Sequence, residues 1–460
     1  MATFHIQNFG CRATQSDGAA IEKQLLDRGL ARVEAGAAPD VVVLNTCTVT
    51  AAADADARAA IRRIHRANPG CKIVVTGCYA QRAPHELARL AGVSRVVGNS
   101  HKHQIPELVA SGLVEKQLAA SAAFVPAASL TERSRATSLP VTVLVGDIFA
   151  HTEVMAAPVF ESANTSGKTR PNLKIQDGCN NRCSFCVIPS VRGRSRSLRL
   201  EEVVREVASL VEAGYREVVL SGINLGRWGR DLAKAQGFED LVRTILQRTQ
   251  LEKLRLSSVE PMDWSDELIE LMASEARIAK HVHAPLQSGS DRILRLMHRK
   301  YRPWHYAERI RKARAAMPDA AIGADVMVGF PGETDELFEE SRAFIASLPF
   351  TYLHVFTFSP RPGTPAEQMP NQVPVHVARR RNQILRELAE GKNLAFRRSH
   401  IGKTVRAITL KVSGSSSTQA ITDNYVRLEL HGRHEPNRWI NAAIHGLTAE
   451  GMKGTLQPNF

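Results

Sequence analysis

The sequence contains no long apolar segment. No apolar run approaches the ~18 residues that a membrane-spanning helix requires. The opening residues MATFHIQNFGC lack the basic stretch followed by an apolar one that a secretory signal would show. We therefore expect no membrane association and a cytoplasmic location. With 43% hydrophobic and 23% charged residues, the 460-residue chain lies close to the globular average, which excludes wholesale disorder and a fibrous fold.

Cysteine is also scarce. The seven cysteines are too few for a disulfide scaffold, and an odd number of cysteines cannot all be paired. Clustered thiols in a chain without a secretory signal are more often metal ligands or catalytic groups. Four cysteines occur early in the chain, at Cys11, Cys47, Cys71 and Cys78. The other three form a tight group, Cys179, Cys183 and Cys186.

Acidic residues are outnumbered. The chain has 60 Lys and Arg against 46 Asp and Glu, for a net charge of +14. From His376 to Phe460 there are 14 basic and 6 acidic residues, so +8 of this charge lies in the last 85 residues. Such a surplus of positive charge favours binding of a polyanionic partner, and it favours a nucleic acid over a membrane surface. The alternative is a basic face that is simply exposed to solvent.

The order of apolar runs predicts an α/β protein with three domains. Residues 1–115 alternate buried strands (FHIQNF, DVVVLNT, KIVVTG, SRVVGN) with amphipathic helices, as in a doubly wound parallel sheet. Cys11, Cys47 and Cys78 each follow a strand, so they can meet at one rim. Residues 116–168 are rich in Ala, Ser, Thr and Pro and read as a linker or insertion, with one short strand at VTVLVGDIF.

Six strand–helix units then occupy residues 169–399. They predict a partial parallel (βα)6-type barrel with its chemistry at the C-terminal rim. A long basic helix over Val375–Arg398 leads out of it. In residues 400–460, TVRAITLKV and NYVRLEL alternate apolar and polar residues, which predicts a small antiparallel β domain.

The strongest motif is Cys179-Asn-Asn-Arg-Cys183-Ser-Phe-Cys186, which follows the first barrel strand, NLKIQDG. A structural zinc site needs four ligands, and neither a fourth Cys nor a close His completes this one. Three thiolates suit a four-iron cluster with one iron left open for a substrate. Zinc binding or coincidence is the alternative interpretation.

This CxxxCxxC motif at the first strand of a barrel resembles the radical S-adenosylmethionine (SAM) enzymes. The turns SGINLG, SSVEP, HAPLQSGSD and DVMVGFPGET, which follow the next four strands, resemble that superfamily too. The resemblance implies SAM contacts there, although each segment alone can be an ordinary turn. The candidate SAM-binding residues are Ser221, Gly222, Asn224, Ser257, Ser258, Glu260, Gln287 and Asp325.

Further motifs narrow the resemblance to the methylthiotransferases: FGC, LNTCTVT and VTGCYAQ, then QDGCNNRCSFCVIP, then the small basic β domain. The resemblance implies two [4Fe-4S] clusters and SAM as cofactors. It assigns the auxiliary cluster to Cys11, Cys47 and Cys78, and the SAM-cleaving catalytic cluster to Cys179, Cys183 and Cys186. Without the family, the three early thiols would be read as core residues. Cys71 matches no ligand motif and is expected to be structural.

QDGCNN, SFCVIP and MHRKY look most like the branch that converts N6-threonylcarbamoyladenosine at position 37 of tRNA to its 2-methylthio derivative. The alternatives are isopentenyladenosine at the same position, an aspartate of a ribosomal protein, and an RNA-binding iron–sulfur protein without turnover. The expected partners are the tRNA anticodon stem-loop and an external flavodoxin- or ferredoxin-type electron donor. One departure is Arg12-Ala13-Thr14-Gln15, where branch members usually carry a stretch like KVNQ.

Two basic features are candidates for RNA contact. Arginine side chains bind phosphates bidentately, so Arg192, Arg194 and Arg196 can contact a tRNA backbone, with ion-pair packing as the alternative. The C-terminal domain resembles a TRAM module, an RNA-binding barrel. There the candidate phosphate contacts are Arg427, Arg433, Arg438 and Lys453, and Tyr425 or Trp439 either stacks on a base or belongs to the core.

Overall fold

The computed structural model describes residues 2–33, 38–111, 141–151, 154, 169–410 and 417–457. The chain forms two compact units. One comprises Met1–Pro158 and Val187–Arg194, and the other comprises Val159–Cys186 and Ser195–Phe460. Most of the linker predicted at 116–168 lies outside the described residues.

The first unit is built on a six-stranded parallel sheet. Its strands are β1 (Thr3–Asn8), β2 (Ala31–Arg32), β3 (Val41–Thr46), β4 (Lys72–Gly77), β5 (Val93–Val97) and β6 (Thr142–Leu144), in the order β2-β1-β3-β4-β5-β6. The helices are α1 (Arg12–Asp27), α2 (Ala51–Ala67), α3 (Cys78–Arg82), α4 (Pro84–Ala88) and α5 (Ile188–Arg192). The parallel sheet predicted from the apolar runs is confirmed, and the short strand expected within VTVLVGDIF is β6.

Helices cover both faces of this sheet. Alternate residues of the buried strand β3 point to opposite sides, and each side packs against a different helix. Val42 packs with Ile61 of α2 in one apolar cluster. Val43 packs with Ile21 of α1 in another. The Thr50 side chain accepts a hydrogen bond from the Ala53 amide and so caps the start of α2.

The second unit contains the predicted partial barrel. Its strands are β7 (Asn172–Asp177), β8 (Arg196–Ser197), β9 (Glu217–Gly222), β10 (Lys253–Leu256), β11 (His281–His283), β12 (Ala321–Val328) and β13 (Tyr352–Thr357). Two sheets run β10-β9-β7-β8 and β11-β12-β13. The Ala279 amide donates to the Leu254 carbonyl over 2.9 Å, which joins them between β10 and β11. All pairings are parallel except that of β8 with β7.

Helices connect successive barrel strands, so that the carboxyl ends of the parallel strands lie at one rim. They are α6 (Leu200–Glu212), α7 (Phe238–Arg248), α8 (Asp266–Ser274), α9 (Asp291–Leu296), α10 (Pro303–Ala316), α11 (Asp335–Ser347) and α12 (Val375–Arg398). The hydroxyls of Ser265 and Thr334 cap α8 and α11, and Pro303 opens α10. Among the described helices, none is both long enough and apolar enough to cross a membrane.

The last domain is a small closed β-barrel, also part of the second unit. It consists of β14 (Thr404–Thr409), β15 (Ser417–Thr422), β16 (Arg427–His431), β17 (Trp439–Leu447) and β18 (Met452–Leu456). Its pairings are antiparallel except β16 with β18. The predicted C-terminal β domain is thus confirmed.

Candidate active site

Three cysteines lie at the carboxyl ends of three neighbouring strands of the first unit. Cys11 follows β1, Cys47 follows β3 and Cys78 follows β4. The chain before Cys11 comes very close to Cys47. A Cβ on Gly10, whose φ is +95°, would lie 2.5 Å from the Cys47 Cβ and 2.8 Å from its Sγ. Only glycine fits this turn, which brings the first two thiols together.

The electrostatics of Cys47 fit a metal ligand more than a free thiolate. Its pKa is raised to about 12, first by burial and then by the neighbouring Cys78 and Cys11, because three thiolates would repel one another. Bound iron relieves that repulsion, since thiolate is its soft ligand. The Asn99 Nδ2 donates to the Cys78 Sγ over 3.6 Å, a contact that the sequence did not indicate.

The run that departs from the family pattern lies at the start of α1. The Thr14 hydroxyl is 3.5 Å from the Cys11 Sγ, and the Thr14 carbonyl accepts a hydrogen bond from the Asn45 amide group over 2.7 Å. Thr14 thus joins the Cys11 turn to β3. Cys71 lies apart from these thiols, buried in the apolar core with Ile73 and Leu87, as expected of a structural cysteine.

The second group of cysteines lies in the loop after β7 of the second unit. Cys179, Cys183 and Cys186 are all half-buried. Burial raises the pKa of Cys179, whereas hydrogen bonds from the Asn181 amide over 3.4 Å and the Asn224 side chain over 3.8 Å lower it. Such donors stabilise a thiolate, so the loop fits an iron–sulfur cluster.

A buried arginine lies against the same loop. The Arg299 Nη1 donates to the Cys183 Sγ over 3.1 Å, and its other groups meet the Tyr301 hydroxyl and the Glu260 carboxylate. These residues line one pocket together with Asn181. Burial raises the pKa of Glu260, and the charge of Arg299 opposes that shift. The pocket therefore combines a cation, a carboxylate and a cluster thiol.

Two family models match the chain. One is described as the radical SAM superfamily and matches residues 173–345. The other is described as uncharacterized protein family UPF0004 and matches residues 3–98. Each covers one of the two cysteine groups.

Curated relatives extend over nearly the whole chain. The threonylcarbamoyladenosine tRNA methylthiotransferase MtaB of Aquifex aeolicus (strain VF5) is 35% identical over 95% of this chain and 99% of its own length. The corresponding protein of Bacillus subtilis (strain 168) is 34% identical over 95% and 92%. The chain belongs to the radical SAM methylthiotransferase family.

A second kind of relative also matches. The tRNA-2-methylthio-N(6)-dimethylallyladenosine synthase of Thermobifida fusca (strain YX) is 34% identical over 96% of this chain and 83% of its own length. Among solved structures, the radical SAM methyltransferase TsrM of Kitasatospora setae, with cobalamin and a [4Fe-4S] cluster bound, has a TM-score of 0.51 at 17% identity. It covers 80% of this chain and 77% of its own, and it shows the fold alone.

The methylthiotransferase is therefore an enzyme that uses SAM and iron–sulfur chemistry, as the motifs predicted. Of the candidate SAM residues, Asn224 and Glu260 lie at the Cys179–Cys183 loop through the contacts above. Gly222 packs closely on β7, because a Cβ there would come within 2.9 Å of the Gln176 Oε1 and 3.0 Å of its Cβ. Gln287 has a φ of 65° and sits in the turn after β11.

The remaining SAM candidates are buried or in contact with other protein groups. The Ser221 hydroxyl is buried and donates to the Leu173 carbonyl over 3.4 Å, which argues against its contact with a ligand. Ser257 is buried as well. The Ser258 hydroxyl lies 2.6 Å from His283, and His283 in turn lies 3.3 Å from the Asp325 carboxylate.

The structure corrects part of the predicted RNA contacts in VRGRSRSLR. Arg192 is buried and shares the Asp17 carboxylate with Lys102, at 3.1 and 2.8 Å. Its guanidinium is held in a buried ion-pair network and cannot reach a phosphate. For Arg192, the alternative of ion-pair packing is therefore correct. Arg196 is buried too and is not available to a phosphate. Arg194 is exposed and stays a candidate for RNA contact.

In the C-terminal barrel the basic candidates Arg427, Arg433, Arg438 and Lys453 are all exposed. Arg427 and Arg438 form surface ion pairs with Glu450 and Glu435. The aromatic candidates already lie against cationic side chains, although Tyr425 is exposed. Arg255 and Arg170 lie over the Tyr425 ring at 5.1 and 5.3 Å. Arg406 and Lys253 lie over the Trp439 ring at 5.0 and 5.4 Å.

Sequence reasoning did not single out Asn99 or Arg299 as site residues. Arg299 belongs to MHRKY, which was noted only as a mark of the substrate branch. A cationic side chain in the turn that follows α9 is a signal that could have pointed to it. Asn99 ends the run SRVVGN and carries no comparable signal.

Proposed function

We propose that this methylthiotransferase converts N6-threonylcarbamoyladenosine at position 37 of tRNA to its 2-methylthio derivative, using two [4Fe-4S] clusters. The observation that carries the proposal is the meeting of Cys11, Cys47 and Cys78 at one sheet rim, in addition to the CxxxCxxC loop. Several relatives that align over nearly the full chain carry this substrate in their names.

Each cysteine group has a separate task in this proposal. Cys179, Cys183 and Cys186 would hold the cluster that supplies the electron for SAM cleavage and so for attack on the adenine C2–H bond. Cys11, Cys47 and Cys78 would hold the cluster that supplies the sulfur. Asn181 and Asn224 hold Cys179 by hydrogen bonds, and Arg299 holds Cys183. The exposed arginines of the small barrel bind the phosphates of the anticodon stem-loop.

We place the reaction in the cytoplasm, with a flavodoxin or ferredoxin as electron donor. Clusters with an open iron are sensitive to oxygen, and the substrate is tRNA. The second candidate substrate is the dimethylallyl-type nucleoside at the same position, because the Thermobifida fusca relative is as similar to this chain, at 34% identity, as the Bacillus subtilis relative is.

Mass spectrometry of tRNA nucleosides from cells with and without the gene tests the proposal. We expect 2-methylthio-N6-threonylcarbamoyladenosine to disappear and its precursor to accumulate. The wild-type gene and a Cys71→Ala variant should restore the product, whereas Cys183→Ala should not. Loss of a 2-methylthio dimethylallyl nucleoside would move the enzyme to the other branch, and an unchanged tRNA profile would overturn the proposal.

A further inference from the structure

Two histidines and an aspartate meet on one face of the sheet β11-β12-β13. His283 ends β11, Asp325 lies in β12 and His354 lies in β13. Asp325 and His354 are partners in the parallel register, and His283 pairs with Gly323 two residues earlier on β12. Residues two apart on a strand share a face, so all three side chains project to the same side.

The ligand atoms of these side chains converge. One nitrogen from each histidine and one oxygen of Asp325 all lie within 4.8 Å of one another. In a tetrahedral site with ligand bonds of 2.0–2.1 Å, ligand atoms lie roughly 3.4 Å apart. The Nε2 of His283 is already 3.3 Å from the Asp325 Oδ1, and the exposed His354 supplies the third ligand atom of the group.

The orientation of His283 is fixed from behind. Its Nδ1 lies 2.6 Å from the Ser258 hydroxyl. Its Nε2 is buried and, although the Asp325 Oδ1 lies 3.3 Å away, it makes no hydrogen bond of suitable geometry with the described residues. Metal-binding histidines are commonly held in this way, with one ring nitrogen bonded to a neighbour and the other directed at the ion. A buried ring nitrogen without a hydrogen bond is otherwise costly.

Neighbouring rings set the shape of the cluster. The His283 and His354 rings are perpendicular, with centroids 5.5 Å apart. The Tyr352 ring packs against both and lies over Gly323, where any Cβ would come within 1.9 Å of it. The histidines are thus held at an angle to each other rather than stacked.

We propose that His283, Asp325 and His354 form a binding site for a divalent transition-metal ion, separate from both cysteine groups. Two imidazoles and one carboxylate are a donor set that zinc and ferrous iron accept. Three protein ligands leave coordination positions for water or for an oxygen atom of a substrate, as in catalytic rather than structural zinc sites.

Zinc is the probe for the first test. The full-length protein, with its iron–sulfur clusters assembled under anaerobic conditions to occupy the cysteines, is dialysed against zinc and its metal content is measured. We expect one zinc per chain. Zinc X-ray absorption should show only nitrogen and oxygen ligands near 2.0–2.1 Å, without the sulfur distance of about 2.3 Å.

Variants locate the ion. His354→Ala and Asp325→Asn should each lose the bound zinc while keeping the iron content, and His305→Ala, which removes an exposed histidine elsewhere on α10, should keep it. Ser258→Ala, which frees the His283 ring, should weaken zinc binding roughly 10–100-fold. Zinc with sulfur ligands, or zinc retained in both ligand variants, would overturn the proposal.

A measurement on the unmodified protein guards against variants that fail to fold. A crystal of the wild-type protein grown with zinc should show an anomalous peak among His283, Asp325 and His354. Absence of that peak, with zinc absent from the dialysed protein, would also refute the site. Neither result depends on tRNA or SAM, so failure here leaves the proposed methylthiolation standing.

Discussion

Arg299 donates a hydrogen bond from Nη1 to the Sγ of Cys183 over 3.1 Å, across 116 residues of sequence. The guanidinium is buried, and Glu260 is its ion-pair partner. A positive charge and a donor at one thiolate stabilise the more negative, reduced state of a cluster held there. The MHRKY segment is thereby tied to the chemistry of the CxxxCxxC loop.

Replacing Arg299 should therefore make the SAM-cleaving cluster harder to reduce. For Arg299→Gln we expect a midpoint potential lower by tens of millivolts and slower SAM cleavage, because a donor to the thiolate is lost. A potentiometric titration followed by electron paramagnetic resonance measures the shift.

Lys300→Gln is the matched control for that experiment. Lys300 lines the same pocket and carries the same charge, so its replacement separates loss of charge from loss of the hydrogen bond. Equal shifts in the two variants would mean that the Arg299–Cys183 bond does not tune the cluster. Pairing Arg299→Gln with Glu260→Gln avoids leaving a buried carboxylate alone, which would cost about 3–5 kcal/mol.

Variants in the two cysteine groups should affect different steps of the reaction, namely SAM cleavage and sulfur insertion. Cys183→Ala should abolish SAM cleavage under dithionite, because the open-iron cluster loses a ligand. Cys47→Ala should still cleave SAM but insert no sulfur into tRNA. Liquid chromatography of 5′-deoxyadenosine and of tRNA nucleosides measures both steps.

Cys71→Ala provides the control, since it removes a thiol that lies in the apolar core. It should retain both activities. Methylthiolated product from the Cys47→Ala protein would contradict the two-cluster assignment.

The pKa of Cys47 predicts a pH dependence for the protein without its clusters. Folding raises this pKa from the ordinary 9.0 to about 12, so the folded state keeps the thiol proton that the unfolded chain releases. That stabilisation is complete below pH 9.0 and is lost as the pH rises toward 12. The free energy of unfolding should fall by at most ~1.4 kcal/mol per pH unit in this range.

Urea unfolding at about pH 8 and about pH 10, with and without Cys47→Ala, measures this effect. The wild-type protein should lose more stability on going to the higher pH than the variant does. Identical losses would show that the buried thiol does not set the pH dependence.

Binding of tRNA should depend on salt through the exposed arginines of the small barrel. Replacing Arg427, Arg433 and Arg438 together by Gln should reduce the magnitude of the slope of log affinity against log salt by about 2–3, since each phosphate contact contributes ~0.7–0.9. Filter binding over a salt series measures the slope. The surface ion pairs of Arg427 and Arg438 are worth little and do not prevent this role.

Arg243, Arg248 and Arg342 form the control set. They lie on α7 and α11, are similarly exposed, and are likewise paired with glutamates. Their replacement by Gln should leave the slope unchanged. A slope that falls only in the control set would place the tRNA on a different surface.

Local sequence pattern was enough to predict the order of strands and helices. The basic helix spans Val375–Arg398 as predicted, and the strands preceding Cys11, Cys47 and Cys78 are found where the apolar runs placed them. Such patterns follow from burial on one or both faces of an element, which is set within a few residues.

Pairings over long sequence distances could not be predicted in this way. Arg192 meets Asp17 across 175 residues, so a run of arginines that suggested phosphate binding contains a buried ion pair. Arg299 is bound to Cys183 across 116 residues for a similar reason. Sequence reveals which side chains carry charge, but only the fold decides whether that charge meets solvent, a ligand or another charge.

The most direct test of the central claim is a single-turnover reaction with purified protein, assembled clusters, a reductant and SAM carrying a deuterated methyl group. The substrate is tRNA that bears N6-threonylcarbamoyladenosine. We predict a 2-methylthio nucleoside that carries the deuterated methyl group, and none with tRNA lacking the threonylcarbamoyl group. Cleavage of SAM without modification of this nucleoside would contradict the account.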